Sequence, residues 1–390
     1  MKKSKEIKPD IETFAKIKVV GVGGSGGSAI NRMIDDRIRG VDFIAVNTDA
    51  QALSSSKART KVQIGVDTTK GLGAGMDPDT GARSAEENID DIEKSLADAD
   101  MVFITCGLGG GTGTGAAPIV ADIARNQEAL TVAVVTKPFN FEGAQRKSIA
   151  ERGLAELESR VDTIITIPND RILSIIDRKT SLLDSFKTVD DILHQGIQGI
   201  SEIITVPGLV NVDFADVKAI MADAGSALMG IGKAAGEDRA KRAAKEAVDS
   251  PLLDVSIAGA KGILFTVTGG EDLTMFEVNE IAEIITASAD GNAKIIFGTV
   301  IDESMKGDIK VMVIATGFES FDLSKKEINK SSHTSYTPNQ YISQTNRIED
   351  EDEDDDNAIE ISDDEDDDLE EVQEVENELD IPAFIRKKMK

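Results

Sequence analysis

The run Cys106-Gly107-Leu108-Gly109-Gly110-Gly111-Thr112-Gly113-Thr114-Gly115 constrains this chain more than any other stretch. Six of the nine residues from Gly107 onward are glycine. The apolar residues 101–105 before it read as a buried strand. Residues 116–124 after it read as a helix with Pro118 in its first turn. Strand, glycine run and helix together build an anion site. Glycines let backbone N–H groups approach a ligand, and a helix N-terminus adds unpaired donors and partial positive charge. Thr112 and Thr114 add hydroxyls. The bland alternative is a tight solvent-facing turn, which needs far fewer glycines.

A second run lies nearer the start. Residues 17–20 read as a short strand, followed by Gly21-Val22-Gly23-Gly24-Ser25-Gly26-Gly27 and a helix carried by Ala29, Ile30, Met33, Ile34 and Ile38. Residues 43–46 are the next strand, ending in Asn47-Thr48-Asp49. Gly21, Gly23 and Gly26 form G-x-G-x-x-G, with Asp42 or Asp49 available for a ribose. Alone, this would suit a nicotinamide-dependent oxidoreductase. One pyrophosphate needs one loop, however, and two loops suggest a more highly charged ligand such as a triphosphate. No G-x-x-x-x-G-K-[ST] occurs, which argues against a P-loop enzyme.

The alternation continues. Residues 71–78 form a third glycine-bearing loop, either a lid over a nucleotide or a plain connector, and a helix is expected over about 79–96. Residues 131–135 and 163–168 read as strands around a helix at 144–157. The expected fold class is therefore α/β, a mostly parallel sheet with ligands at the C-terminal ends of its strands. A long helix over about 182–204 bridges to a smaller α+β domain. That domain holds strands near 262–268, 293–300 and 310–317 and helices near 236–248 and 273–287. Near its start, Asp213 stands three residues before Asp216. The pair is either a helix N-cap or a water- and cation-positioning pair.

The expected organisation is an arm at 1–15, a nucleotide domain at 16–181, the bridging helix at 182–207 and the α+β domain at 208–318. A disordered acidic linker at 319–380 and a docking peptide at 381–390 complete it. The net charge of −28 is concentrated in the linker, where 21 acidic and no basic residues lie between Glu349 and Asp380. Such a run repels itself and cannot form a core. It also disfavours nucleic-acid binding. The tip, Asp380-Ile381-Pro382-Ala383-Phe384-Ile385-Arg386, suits a partner groove with an acidic rim. No apolar run of 18 residues exists, so no transmembrane insertion is expected. One cysteine, Cys106, and two histidines, His194 and His333, make thiol or histidine chemistry a poor first reading. A single cysteine and no apolar leader fit the cytoplasm.

Gly109-Gly110-Gly111-Thr112-Gly113-Thr114-Gly115 resembles the signature of the tubulin-like GTPases. Within them the chain resembles the FtsZ family of bacterial cell-division GTPases. Gly21-Val22-Gly23-Gly24, Asn47-Thr48-Asp49, Gly73-Ala74-Gly75, Phe141-Glu142-Gly143, Ile167-Pro168-Asn169-Asp170 and Asn211-Val212-Asp213-Phe214-Ala215-Asp216 fall in the family's order. The match covers about 14–318 and the last ten or so residues.

The resemblance implies GTP as substrate and GDP as product, with Mg2+ and K+ as candidate cations and no protein metal ligand assigned. Gly21, Gly23, Gly24, Ser25, Gly26, Gly27 and Asn47 would hold the nucleotide with Gly107, Gly109, Gly110, Gly111, Thr112, Gly113, Thr114 and Gly115. Ala74 and Gly75 would sense the terminal phosphate. Glu142 and Arg146 would meet the sugar–phosphate region. Asn169 and Asp191 would read the base, with Phe186 stacked on it. A carboxylate suits guanine, which offers two N–H donors on its pairing edge.

Asn211, Asp213 and Asp216 would complete the site of the next subunit in a head-to-tail protofilament, where hydrolysis occurs. The resemblance further implies a ring at midcell beneath the membrane, with membrane-tethering and regulatory division proteins bound through residues 380–386. Ser25, Ser28 and Asp190 depart from the family's usual residues. A nucleotide-regulated filament with little catalysis is the alternative, with the oxidoreductase more distant.

Overall fold

The computed structural model describes residues 15–177, 179–206, 208–253 and 256–318. The expected arm up to residue 14, the acidic linker and the docking peptide lie outside the described residues.

Six strands run parallel: β1 (Ile17–Val22), β2 (Val41–Asn47), β3 (Thr60–Gln63), β4 (Met101–Gly107), β5 (Leu130–Lys137) and β6 (Thr163–Pro168). Their order is β3-β2-β1-β4-β5-β6. The chain steps outward from β1 to β3, then returns to the other side of β1 as β4. The crevice at the C-terminal ends of β1 and β4 is thus the topological switch point, where such sheets take ligands. Both glycine runs begin there.

Strand side chains alternate between two apolar layers, as a sheet covered on both faces requires. The connecting helices are α1 (Gly23–Asp35), α2 (Ala50–Ser55), α3 (Val66–Thr69), α4 (Pro78–Glu87), α5 (Ile89–Leu96), α6 (Thr112–Asn126), α7 (Ala144–Glu158), α8 (Asn169–Ile172) and α9 (Leu182–Thr205). Val19 and Phe103 pack with Ile30 and Met33 of α1 and Leu193 and Ile197 of α9. Val20 and Ile104 pack with Ala117 and Val120 of α6, Ile92 of α5 and Leu157 of α7.

Three helix boundaries differ from expectation. α1 begins inside the first glycine run, at Gly23. α6 begins at Thr112, so Pro118 sits in the helix interior instead of its first turn. The helix expected over 79–96 is two helices meeting at Asn88, whose Oδ1 accepts the Gly65 N–H at 2.9 Å. That long-range bond holds Asn88 out of helical geometry, which an Asn side chain readily does.

Past α10 (Phe214–Met221) the second lobe contains β7 (Gly225–Ala235), α11 (Arg239–Val248), β8 (Gly262–Gly269), α12 (Met275–Ala287), β9 (Lys294–Ile301) and β10 (Asp308–Thr316). β7 has no counterpart among the expected strands. Its small residues hide a strand because α11 lies directly on it: a Cβ on Gly230 would stand 2.0 Å from the Ala247 carbonyl oxygen. β7 pairs with β6 over Thr163–Ile165 alone, then runs alongside β10. One ten-stranded sheet results, continuing β6-β7-β10-β8-β9. α9 covers the joint. Its Gly196 and Gly199 admit the side chains of Met229 and Met312, which would stand 2.8 and 2.3 Å from an added Cβ.

Candidate functional site

A cleft of about 380 Å³ opens at the switch point. Its floor is Gly24 and Ser25 from the first glycine run and Gly107, Gly110, Gly111, Thr112 and Gly113 from the second. The runs are locked together. Ser25 Oγ accepts the Gly107 N–H at 2.7 Å, and Gly23, with φ +74°, leaves room for the Gly113 nitrogen. Ser25 is thus the clasp between the two runs.

No side chain caps either helix that starts here. Val22 precedes α1 and Gly111 precedes α6 without a capping bond; α3, α5, α7, α8 and α11 lack one too, and what sets α1 and α6 apart is that both open onto the floor of the cleft. The first N–H groups of α1 and α6 are left for an anion.

The far wall is built for a flat polar group. Phe186 meets the buried Phe139 edge-on at 5.9 Å, and Val189, Asp190 and Leu193 continue its face of α9. Asn169 begins α8 directly after β6; it is buried and lines the cleft, and its Oδ1 has no hydrogen-bond partner. A buried amide left this way calls for a ligand donor. Glu142 accepts the Phe139 N–H at 2.8 Å and pairs with Arg146, and both line the cleft.

Asp191 is not at that wall. Its carboxylate takes the Arg32 Nε at 2.6 Å, on the side of α9 that faces α1. One residue is 100° of helix, so of two adjacent aspartates only Asp190 shares the face of Phe186, Val189 and Leu193. Burial pushes the Asp190 carboxyl up to about 6; Arg32 opposes the shift and Asp191 adds to it. The sequence signal that singles out Asp190 is its four-residue spacing from Phe186.

Other expected residues divide into lining and support. Gly21, Gly23, Gly27 and Asn47 line a smaller hollow that adjoins the cleft through Gly24. Gly26 and Gly115 serve packing: an added Cβ would stand 2.4 Å from the Thr105 carbonyl oxygen and 1.9 Å from that of Pro78. Thr114 is buried, with its hydroxyl accepting the Gly109 N–H at 2.9 Å. Ala74 presses on Gly111, whose added Cβ would stand 2.8 Å from the Ala74 methyl, while Gly75 takes φ +58° in open space.

Asn211, Asp213 and Asp216 do not line the cleft. Asn211 Oδ1 accepts the Gly208 N–H at 2.6 Å, and Asp213 caps α10 through the Asp216 N–H at 2.8 Å. The capping reading of Asp213 therefore holds, and it leaves the second carboxylate oxygen of Asp213 and all of Asp216's carboxylate for other work. Cys106 is buried, its thiol pushed up to about 12 by burial, which removes it as a nucleophile. His194 is held below its ordinary value by burial and bonds Gln198 at 2.9 Å.

Two strand–glycine–helix units sharing one crevice make a binder of a multiply charged nucleotide, in a tubulin-like arrangement that a dinucleotide dehydrogenase does not need. Residues 16–177 match the GTPase domain model of the Tubulin/FtsZ family, and residues 225–319 match the FtsZ family C-terminal domain. An empty FtsZ dimer from M. jannaschii shares 48% identity, covering 78% of this chain and 89% of that one at a TM-score of 0.76. A variant FtsZ of M. jannaschii shares 47%, covering 78% and 92% at 0.76. CetZ2 from Haloferax volcanii, solved as a GTPγS-bound protofilament, has the same fold at 22% identity, covering 78% and 94% at 0.67. The chain belongs to the Tubulin/FtsZ family, and its first lobe is a GTPase domain that binds GTP and GDP.

Proposed function

We propose that this chain polymerises head to tail into protofilaments of the division ring and hydrolyses GTP where one copy's Asn211, Asp213 and Asp216 meet the next copy's cleft. The observation that carries this reading is the length of α9. Asp190, at the cleft wall, precedes Thr205 by 15 residues, about 22 Å of helix. Beyond the helix, the loop is pinned away by Val210, which bridges to Thr299 of β9. The carboxylates thus belong to a different part of the subunit from its own phosphate loops. A heterologous contact that repeats builds an open filament. The FtsZ dimer and the CetZ2 protofilament among the similar structures support such stacking.

Within the cleft, the donors of α1 and α6 would hold the phosphates, Asn169 and Asp190 the guanine edge, and Glu142 and Arg146 the sugar side. Among the described residues no group of three or more His, Cys, Asp or Glu gathers to hold a metal ion. Mg2+ would be held mainly by phosphate oxygens and water, supplying charge neutralisation, with Asp216 and the free oxygen of Asp213 to orient water. No covalent intermediate is required; positioning and charge stabilisation suffice. Tethering partners would reach the filament through the peptide at 380–386.

The test is GTP hydrolysis against protein concentration, with light scattering recorded in the same tube and ATP as control. Specific activity should rise steeply above a threshold, together with scattering and for GTP only. The Asp213→Asn variant keeps the helix cap, since Asn caps as well as Asp. It should bind GTP normally and lose about a hundred-fold or more in turnover. Activity per molecule that stays flat with concentration would overturn the shared site.

A further inference from the structure

Thr48, at the end of β2, lines neither the cleft nor the adjoining hollow. It is fully buried, and its hydroxyl lies 2.7 Å from that of Thr112. Thr112 opens α6 and lines the cleft. We propose that Thr48 is a positioning residue for hydrolysis, holding the Thr112 hydroxyl so that its proton faces the terminal phosphate. The inference rests on GTP occupying the cleft as set out above.

Proton counting carries the argument. Two hydroxyls own two protons, and one of them lies between the oxygens. If Thr112 donated, the Thr48 proton would need another acceptor in the interior, and among the described residues no other bond to that hydroxyl is found. A buried donor left unpaired is costly. With Thr48 donating, both are satisfied: the Thr48 proton is used, and the Thr112 proton is free for an anion in the cleft. The bond from Thr48 also polarises Thr112 and makes it the better donor.

The corner that holds Thr48 is the foot of the 71–78 loop. The Thr48 carbonyl lies 3.4 Å from the Thr69 hydroxyl, Asp49 bridges to Leu72, and Ala50 N–H donates to the Gly71 carbonyl at 3.1 Å. That loop presses Ala74 and Asp77 onto Gly111, immediately before Thr112. Thr48 therefore ties the α6 donor to the loop that borders it. The resemblance assigns the terminal phosphate to Ala74 and Gly75 of that loop, and Ala74 packs on Gly111 beside Thr112. On that assignment the Thr112 donor serves a phosphate GDP lacks, so it should show in turnover more than in GDP binding.

The experiment compares wild type, Thr48→Val and Thr48→Ser in the full chain, above the assembly threshold. GTP kcat and KM, GDP affinity and Tm are measured. Thr48→Val keeps the shape and removes the hydroxyl; kcat should fall about ten-fold, with GDP affinity within about two-fold of wild type. Thr48→Ser should restore kcat. Thr48→Val should add little to Thr112→Val, because the two hydroxyls act as one unit. If Thr48→Val does not fold, Thr48→Ala and Thr48→Ser give the same contrast. Unchanged kcat, equal loss of GTP and GDP affinity, or full additivity with Thr112→Val would overturn the proposal. Wild type without GTP turnover would instead sink the reading on which it rests.

Discussion

Glycine does opposite work at the open face of the cleft and along β7. At the cleft, a Cβ added to Gly24 or Gly110 would meet nothing within 4 Å, because both border its open space. In β7, a Cβ on Gly232 would stand 2.1 Å from the Ala243 carbonyl oxygen, because α11 already fills the space. A glycine-rich stretch is therefore not by itself a binding signal. What lies opposite the missing side chain decides: Gly230 and Gly232 of β7 serve close packing, as Gly26 and Gly115 do behind the cleft.

Substitutions separate the two uses. The largest effect is expected at Gly232→Ala, where backbone must move away from backbone. Chemical denaturation should show a loss of about 3 kcal/mol, with GTP affinity of the folded fraction unchanged. Gly110 is not in the left-handed region, so Gly110→Ala is free of backbone strain and should leave Tm unchanged. It should raise the GTP Kd about ten-fold by filling ligand space, equivalent to about 1.4 kcal/mol. A Gly110→Ala protein that unfolds early but binds normally would break the contrast.

Two adjacent aspartates sharpen it further. Asp190→Asn should weaken GTP binding about ten-fold, and Asp191→Asn by less than about three-fold, measured by nucleotide titration. The proposed contact to the guanine N–H donors needs an ionised Asp190, whose carboxyl burial pushes up to about 6. Affinity should rise as pH increases through 6 and be roughly ten-fold weaker at pH 5 than at pH 7, a dependence that Asp190→Asn flattens. Stability carries the opposite sign. A carboxyl raised in the folded state favours folding at low pH, and that contribution is lost as pH rises through about 6. Asp190→Asn should therefore hold or slightly raise Tm at neutral pH, the smallest of these effects.

Much of the site was legible because its signals are local. Both glycine runs sit between a strand and a helix, and Asn169 follows β6 at once. The place of Asp190 at the cleft wall was not legible because adjacent carboxylates differ only by a 100° turn of helix, and which one lines the cleft depends on how α9 lies on the sheet. Arg32 is 159 residues from the Asp191 it holds, a distance no local pattern spans. β7 was missed for a related reason: its small residues make sense only with α11 resting on them.

The sequence alone determined the strand–glycine–helix units, their parallel alternation and the kind of ligand that two anion loops can hold, since backbone donors and hydrophobic period are properties of short segments. Only the tertiary structure decided which aspartate lines the cleft and which glycines open onto it. It also set α9 between the cleft and the Asp213 loop. Those outcomes depend on what stands opposite each side chain, and that is settled by packing between residues far apart in the chain.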